Sequence, residues 1–309
     1  MNEFADNQDV LDLSDFFSKI YKNFYLIAGL SLCFAFIAFG LSFSFDKRYE
    51  SNAILKVTNS SQTMNPISSN SSLGAIAAIS GFSGSGADKG EYVMAVIKSR
   101  RFLETLLDNE GVLENLMAVE SFDEESKSIE YNGFYDDETK QWSRPKKTLL
   151  LSLLGKNFIT DKPTLLEAHE KYKNIVSIYQ DRQDKFIRIS VTHMSPIFAN
   201  DLLTLIVSNL NSIESKKDFL ESREALDYLY EELDSSILIR DATSKLIESQ
   251  LQKQMLTQIS DDYLLQYIDR SYIPERKSSP SRLLFLIMGF FLGLFASFIY
   301  VFFYKEKED

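Results

Sequence analysis

Apolar positions gather in two uncharged runs, Phe24–Phe45 and Leu283–Tyr304, each 22 residues long. At about 1.5 Å per residue each run makes a helix of roughly 33 Å, which matches a hydrocarbon core of about 30 Å. A core helix of a soluble protein is the alternative, but such helices seldom run so far without a charge. A cleaved leader fits the first run poorly. Its lead-in is acidic, with Asp6, Asp9, Asp12 and Asp15 against Lys19 and Lys22, and no A-x-A pattern follows. Both runs read as transmembrane helices, 24–45 and 283–304. They divide the chain into a head (1–23), one large domain (46–282) and a tail (305–309).

Within the domain the pattern changes with position. Tyr49–Val57 alternates well enough for a strand. Residues 59–87 are rich in Ser, Asn and Gly and read as a mobile surface segment. Asp88 is a good N-cap for a helix through about Leu107. Residues 121–147 are charged and irregular, with Trp142 as a partly buried packing residue, and 148–155 are apolar and short. Pro163 opens a helix through about Tyr172. Asn174–Tyr179 and Phe186–Val191 read as a hairpin around a polar turn.

The longest pattern follows. Between Pro196 and Pro274 there is no Gly or Pro. Apolar residues recur at Leu202, Ile206, Leu210 and Ile213, then Leu226, Leu229, Leu233 and Ile237, then Leu246, Leu251, Met255 and Ile259. This predicts one helix over about 196–260, on the order of 95 Å long, capped by Ser195. The alternative is a break at Ser235-Ser236 with the pieces folding back. A single rod with so thin a stripe needs partners, most simply the same helix in neighbouring copies, through Leu226, Leu229, Leu233 and Ile237. Tyr263–Ile273 reads as a strand returning to the sheet, and Pro274 and Pro280 then interrupt regular structure before the second span. The fold class is α+β, with a membrane-proximal base whose first and last strands each adjoin a span. Gly289 and Gly293 form a G-x-x-x-G in that span, a pattern that lets another helix approach closely.

Composition narrows the chemistry. The formal net charge is −11, from 33 basic and 44 acidic residues, which argues against a nucleic-acid binder. One Cys, inside the first span, excludes a disulfide framework and a Cys-based zinc cluster. There is no H-E-x-x-H, no G-x-S-x-G and no phosphate-loop pattern. His169 reads as a solvated helix residue and His193 as a turn residue. No catalytic residue, metal site or cofactor is expected. Lys and Arg flanking the spans lean slightly towards a cytoplasmic domain, a rule that holds for short loops rather than long ones.

Several stretches resemble the Wzz-type polysaccharide co-polymerases, the chain-length determinants of bacterial surface polysaccharides such as O-antigen. They are Val10–Leu13 with Phe16-Phe17 and Tyr21-Lys22, then Tyr49–Leu55, Lys98–Leu103 and Ile189–Pro196 with Ala199-Asn200. Pro274, Ser279-Pro280, Gly289 and Gly293 resemble the Pro/Gly-rich motif leading into the family's second span. Ser281 stands where that motif commonly has Lys. The resemblance implies an inner-membrane protein with cytoplasmic ends and a periplasmic domain. It further implies a homo-oligomeric ring or bell that acts with a Wzy-type polymerase on a lipid-linked polysaccharide and performs no bond chemistry. A periplasmic adaptor of a polysaccharide exporter, a two-span sensor or receptor, and an anchored glycan hydrolase are the other readings.

Overall fold

In the computed structural model, residues 21–58, 86–144, 160–235 and 240–303 are described, and they form two compact units. Most of the 59–87 stretch, the apolar 148–155 run and Ile237 lie outside the described residues.

The first unit is a pair of apolar helices. Helix α1 (Phe24–Leu41) continues as a short 3-10 turn over Ser42–Ser44, and helix α8 spans Arg282–Phe303. Both are long and apolar enough to cross a membrane. The buried positions recur every fourth residue: Ile27, Ser31 and Ala35 on α1, and Gly289, Gly293, Ser297 and Val301 on α8. Lipid is as apolar as Leu, so close packing must hold such helices together. A Cβ on Gly289 would lie 2.5 Å from the Ala38 Cβ and 2.8 Å from the Phe34 carbonyl. One on Gly293 would lie 2.7 Å from both the Phe34 Cβ and the Ser31 Cα. The two glycines thus seat α8 directly on the α1 backbone. The hydroxyls inside the seam bond back to their own helices, Ser31 to the Ile27 carbonyl at 2.7 Å and Ser297 to Leu294 at 2.8 Å.

The second unit, 48–277, is built on a four-stranded antiparallel sheet. Its strands are β1 (Tyr49–Val57), β6 (Val176–Gln180), β7 (Ile187–His193) and β8 (Leu265–Asp269), in the order β6-β7-β1-β8. Alternation sets the register: Leu55 faces Ile187 and Tyr49 faces His193 across β1 and β7, all four buried. Strand β8 pairs antiparallel with β1, Val57 opposite Leu265, with a register shift at Ile54/Leu55. The first and last strands of the domain are therefore neighbours. Their antiparallel pairing brings the two chain ends that lead to the apolar helices to the same end of the sheet, where Ser51 Oγ donates to the Tyr272 carbonyl at 2.8 Å.

Helices cover the sheet: α2 (Gly86–Ile97), α3 (Arg100–Leu107), α4 (Val112–Met117), α5 (Leu165–Ile175) and the first half of α6 (Pro196–Ser235). The helix expected from Asp88 to Leu107 is two helices. Ser99 captures the Phe102 N–H at 3.2 Å and caps a new start. Helix α5 begins after Thr164, whose hydroxyl and Glu167 exchange capping bonds. Between α4 and α5 the charged stretch folds into two small hairpins, β2–β3 (Val119–Asp123 with Ser128–Tyr131) and β4–β5 (Tyr135–Asp136 with Gln141–Trp142). Trp142 packs on Tyr135 there, with ring centroids 5.0 Å apart.

The single helix expected over 196–260 is two. Helix α6 has 40 residues, and α7 (Arg240–Ile259) runs back beside it. Ser215 Oγ donates to the Thr257 carbonyl at 2.8 Å, and Lys253 pairs with Asp218 at 3.1 Å. These contacts fix an antiparallel register in which Ser222 falls opposite Gln250 and Leu226 opposite Leu246-Ile247. All but half-buried Leu246 are buried. A lone rod would leave both stripes in water, whereas folding back buries each against the other.

Candidate functional site

The helical hairpin is tied to the base by a cluster of polar anchors at its root. Asn211, 3% exposed, faces the start of β8. Its Oδ1 accepts from the Leu264 and Leu265 N–H groups at 3.0 and 2.7 Å, and its Nδ2 donates to the Leu265 carbonyl at 3.0 Å. One turn on, Glu214 accepts from the Tyr92 hydroxyl at 2.7 Å, and Lys217 lies 5.4 Å from the Tyr92 ring centre. Asp218 accepts from the Tyr263 hydroxyl at 2.5 Å. Burial, then these carboxylates, pushes both tyrosine pKa values upward, so the hydroxyls stay protonated donors.

Beyond the root the hairpin changes character. Leu220 is 57% exposed and Tyr228 66%. Of the expected stripe, Leu226 is buried where α7 folds back and Leu229 is half-buried; Ile237 lies outside the described residues. The side chains left open are thus a different set. They could not be found from periodicity alone, because which side of α6 is open depends on where α7 returns.

The four Pro/Gly positions divide between the units. Gly289 and Gly293 make the helix seam, and buried Pro280, after a cis peptide bond, precedes α8. Pro274, also buried, belongs to the base. It lines a cleft of about 300 Å³ with Tyr49, Phe122, Pro196 and Ile197. The Tyr49 hydroxyl donates to Glu124 at 2.5 Å; burial, then Glu124, pushes its pKa up to about 12.

Both histidines are structural. His169 hydrogen-bonds the Lys98 carbonyl through Nε2 at 2.8 Å, more engaged than a solvated helix residue. His193 Nδ1 accepts the Ser195 N–H at 3.1 Å, and Ser195 Oγ then caps α6 at Phe198, 3.2 Å. Among the described residues no group of three or more His, Cys, Asp or Glu is placed to hold a metal ion.

Comparison with known families adds one matching stretch, a third of the chain. Residues 9–110 match Wzz, the chain length determinant protein family. The Wzz segment runs from the head through α1 and β1 to α3, and so includes the first apolar helix and a central strand of the sheet. Among solved structures, the chain is similar to a full-length bacterial polysaccharide co-polymerase. That match has 13% identity and a TM-score of 0.33, covering 95% of this chain and 96% of the other. A fragment of WzzB, a polysaccharide co-polymerase from Salmonella Typhimurium, is also similar. There the identity is 13% and the TM-score 0.29, over 76% of this chain and 100% of that one. No curated protein sequence matches significantly.

Proposed function

We propose that this protein is a non-catalytic regulator of surface polysaccharide chain length, held in the bacterial inner membrane by α1 and α8. In this reading residues 46–282 are periplasmic and both ends are cytoplasmic. Copies of the chain stand side by side in a ring or bell and act with a Wzy-type polymerase on a lipid-linked polysaccharide. The observation that carries the reading is the Wzz match over 9–110. The open apolar side chains of the α6–α7 hairpin support self-association, since exposed apolar groups clustered on one element favour a protein partner. Pro274 in the cleft and the Gly289/Gly293 seam are proposed to hold the base and the spans in the form the assembly needs.

Deleting the gene in a strain that makes such a polymer tests this. The size ladder of the polysaccharide on a gel is expected to lose its preferred length. An unchanged ladder would overturn the reading.

A further inference from the structure

A second cavity, of about 290 Å³, opens elsewhere on the base, between the C-terminal half of α5 and the end of β7. Its polar wall is made by Arg48, Lys171, Asn174 and Thr192, beside His193 and over Leu116. The chain as a whole carries 44 acidic against 33 basic residues. Yet among the described residues lining this cavity there is no Asp or Glu. The other base cleft, by contrast, is rimmed by Glu124 and Glu275 as well as Lys127. Two cations, an amide and a hydroxyl lining one small cavity form a donor set for an anion.

We propose that this cavity binds a phosphate group, with Arg48 and Lys171 as its charged ligands and Asn174 and Thr192 as neutral donors.

The electrostatics of His193 agree with this geometry. Burial first, then Lys171, then Arg48 among the causes, lowers its pKa to about 4, so both cations act on the same small volume. The imidazole is neutral and engaged with Ser195 and Asn115, so it forms a wall rather than a ligand. The phosphate partner of Arg48 and Lys171 has two natural sources. A phospholipid headgroup is one, and a soluble phosphate or phosphorylated glycan offers the same chemistry. The inference stands apart from the chain-length reading, and neither depends on the other.

Native mass spectrometry of the full-length protein in detergent tests it, with phosphatidylglycerol as probe, phosphatidylcholine as zwitterionic control and inorganic phosphate as competitor. Wild type, Arg48→Lys and the α5 control Lys173→Gln are expected to retain phosphatidylglycerol preferentially. Arg48→Gln and Lys171→Gln should each weaken it about tenfold, as loss of one charge-assisted contact does. Displacement by inorganic phosphate would assign a soluble source, and retention against it a lipid headgroup; both uphold the site. Equal retention of both lipids by wild type with no effect of phosphate would overturn it. So would the same preference in the Arg48→Gln/Lys171→Gln double variant as in wild type.

Discussion

The two halves of α6 are one continuous helix with opposite surroundings. From Phe198 to Leu210 the half on the base has Leu202, Leu203, Ile206, Val207 and Leu210 buried to 2% exposure or less. Beyond Asp218, among the described residues, α7 runs beside it, and Leu220 and Tyr228 stay more than half exposed. The first half is completed by its own chain. The second half is stabilised on one side and offers the other, which is the division expected of a scaffold whose root is rigid and whose outer surface meets a partner. Substitutions at the root should therefore unfold the protein, and those on the outer half should alter only its associations.

Asn211→Ala is the strongest test of the root. It strips partners from the Leu264 and Leu265 N–H groups and the Leu265 carbonyl, all inside the core. At about 1–3 kcal/mol for each buried unsatisfied group, the expected loss is about 3–5 kcal/mol, allowing for some rescue by water. Urea unfolding of the detergent-solubilised protein, followed by far-ultraviolet circular dichroism, measures it. A loss below 1 kcal/mol would mean the root is not what holds β8 in place.

His193 adds a pH arm at the start of the same helix. Its pKa in the fold is about 4 against an ordinary 6.5, so between those values the unfolded chain binds the proton more readily. Stability is then complete above pH 6.5 and falls as the pH drops towards 4, by about 2 kcal/mol between pH 7 and pH 5. Urea midpoints at the two pH values should differ accordingly in wild type. In His193→Gln, which has no imidazole to charge, the difference should shrink.

Much of this layout is legible in the sequence, and the failures share a cause. The spans, β1, the β6–β7 hairpin and the return of β8 all announce themselves by uncharged length or by alternation. The two hairpins in 121–147 do not, because their turns lack Gly. Each carries Asp four residues before a Lys with positive φ: Asp123 and Lys127 (54°), Asp136 and Lys140 (55°). The β6–β7 turn repeats it with Asp181 and Lys185 (62°). In all three the Asp Oδ1 accepts the N–H two residues on, at 3.0, 3.0 and 2.8 Å, an Asx turn that holds the following Lys left-handed. The pattern D-x-x-[S/T/D]-K was readable, and it replaces the Asn-Gly signal that hairpin turns usually carry. The α6–α7 fold-back was only half legible: its two stripes share one period and no Gly or Pro interrupts 196–260, so Ser235-Ser236, where α6 ends, was the one mark of a break and was outweighed by the unbroken pattern. At the candidate site, Asn211 and the Glu214/Asp218 anchors looked like polar-face residues, because a helix pattern does not tell which polar side chain meets another strand. Lys185→Gly should relieve the left-handed backbone and stabilise the fold by up to about 1 kcal/mol, and Lys185→Val should cost about that much. The same urea titrations separate the two.

The smallest effect on the fold is expected at the outer half of the hairpin, and there it sharpens the comparison most. Leu220 and Tyr228 are 57% and 66% exposed, so changing them to Ser removes little buried area from the chain itself. Leu220→Ser with Tyr228→Ser should stay within about 0.5 kcal/mol of wild type in urea, as surface changes do. If copies of the chain pack through this surface, the same pair should lower the mass of the detergent-solubilised particle in light scattering. Each copy would then expose apolar area that the interface had removed from water. Unchanged mass with unchanged stability would leave the outer half without a role in assembly. Unchanged mass with a large loss of stability would show that the chain covers this face itself, and the contrast between the two halves of α6 would disappear.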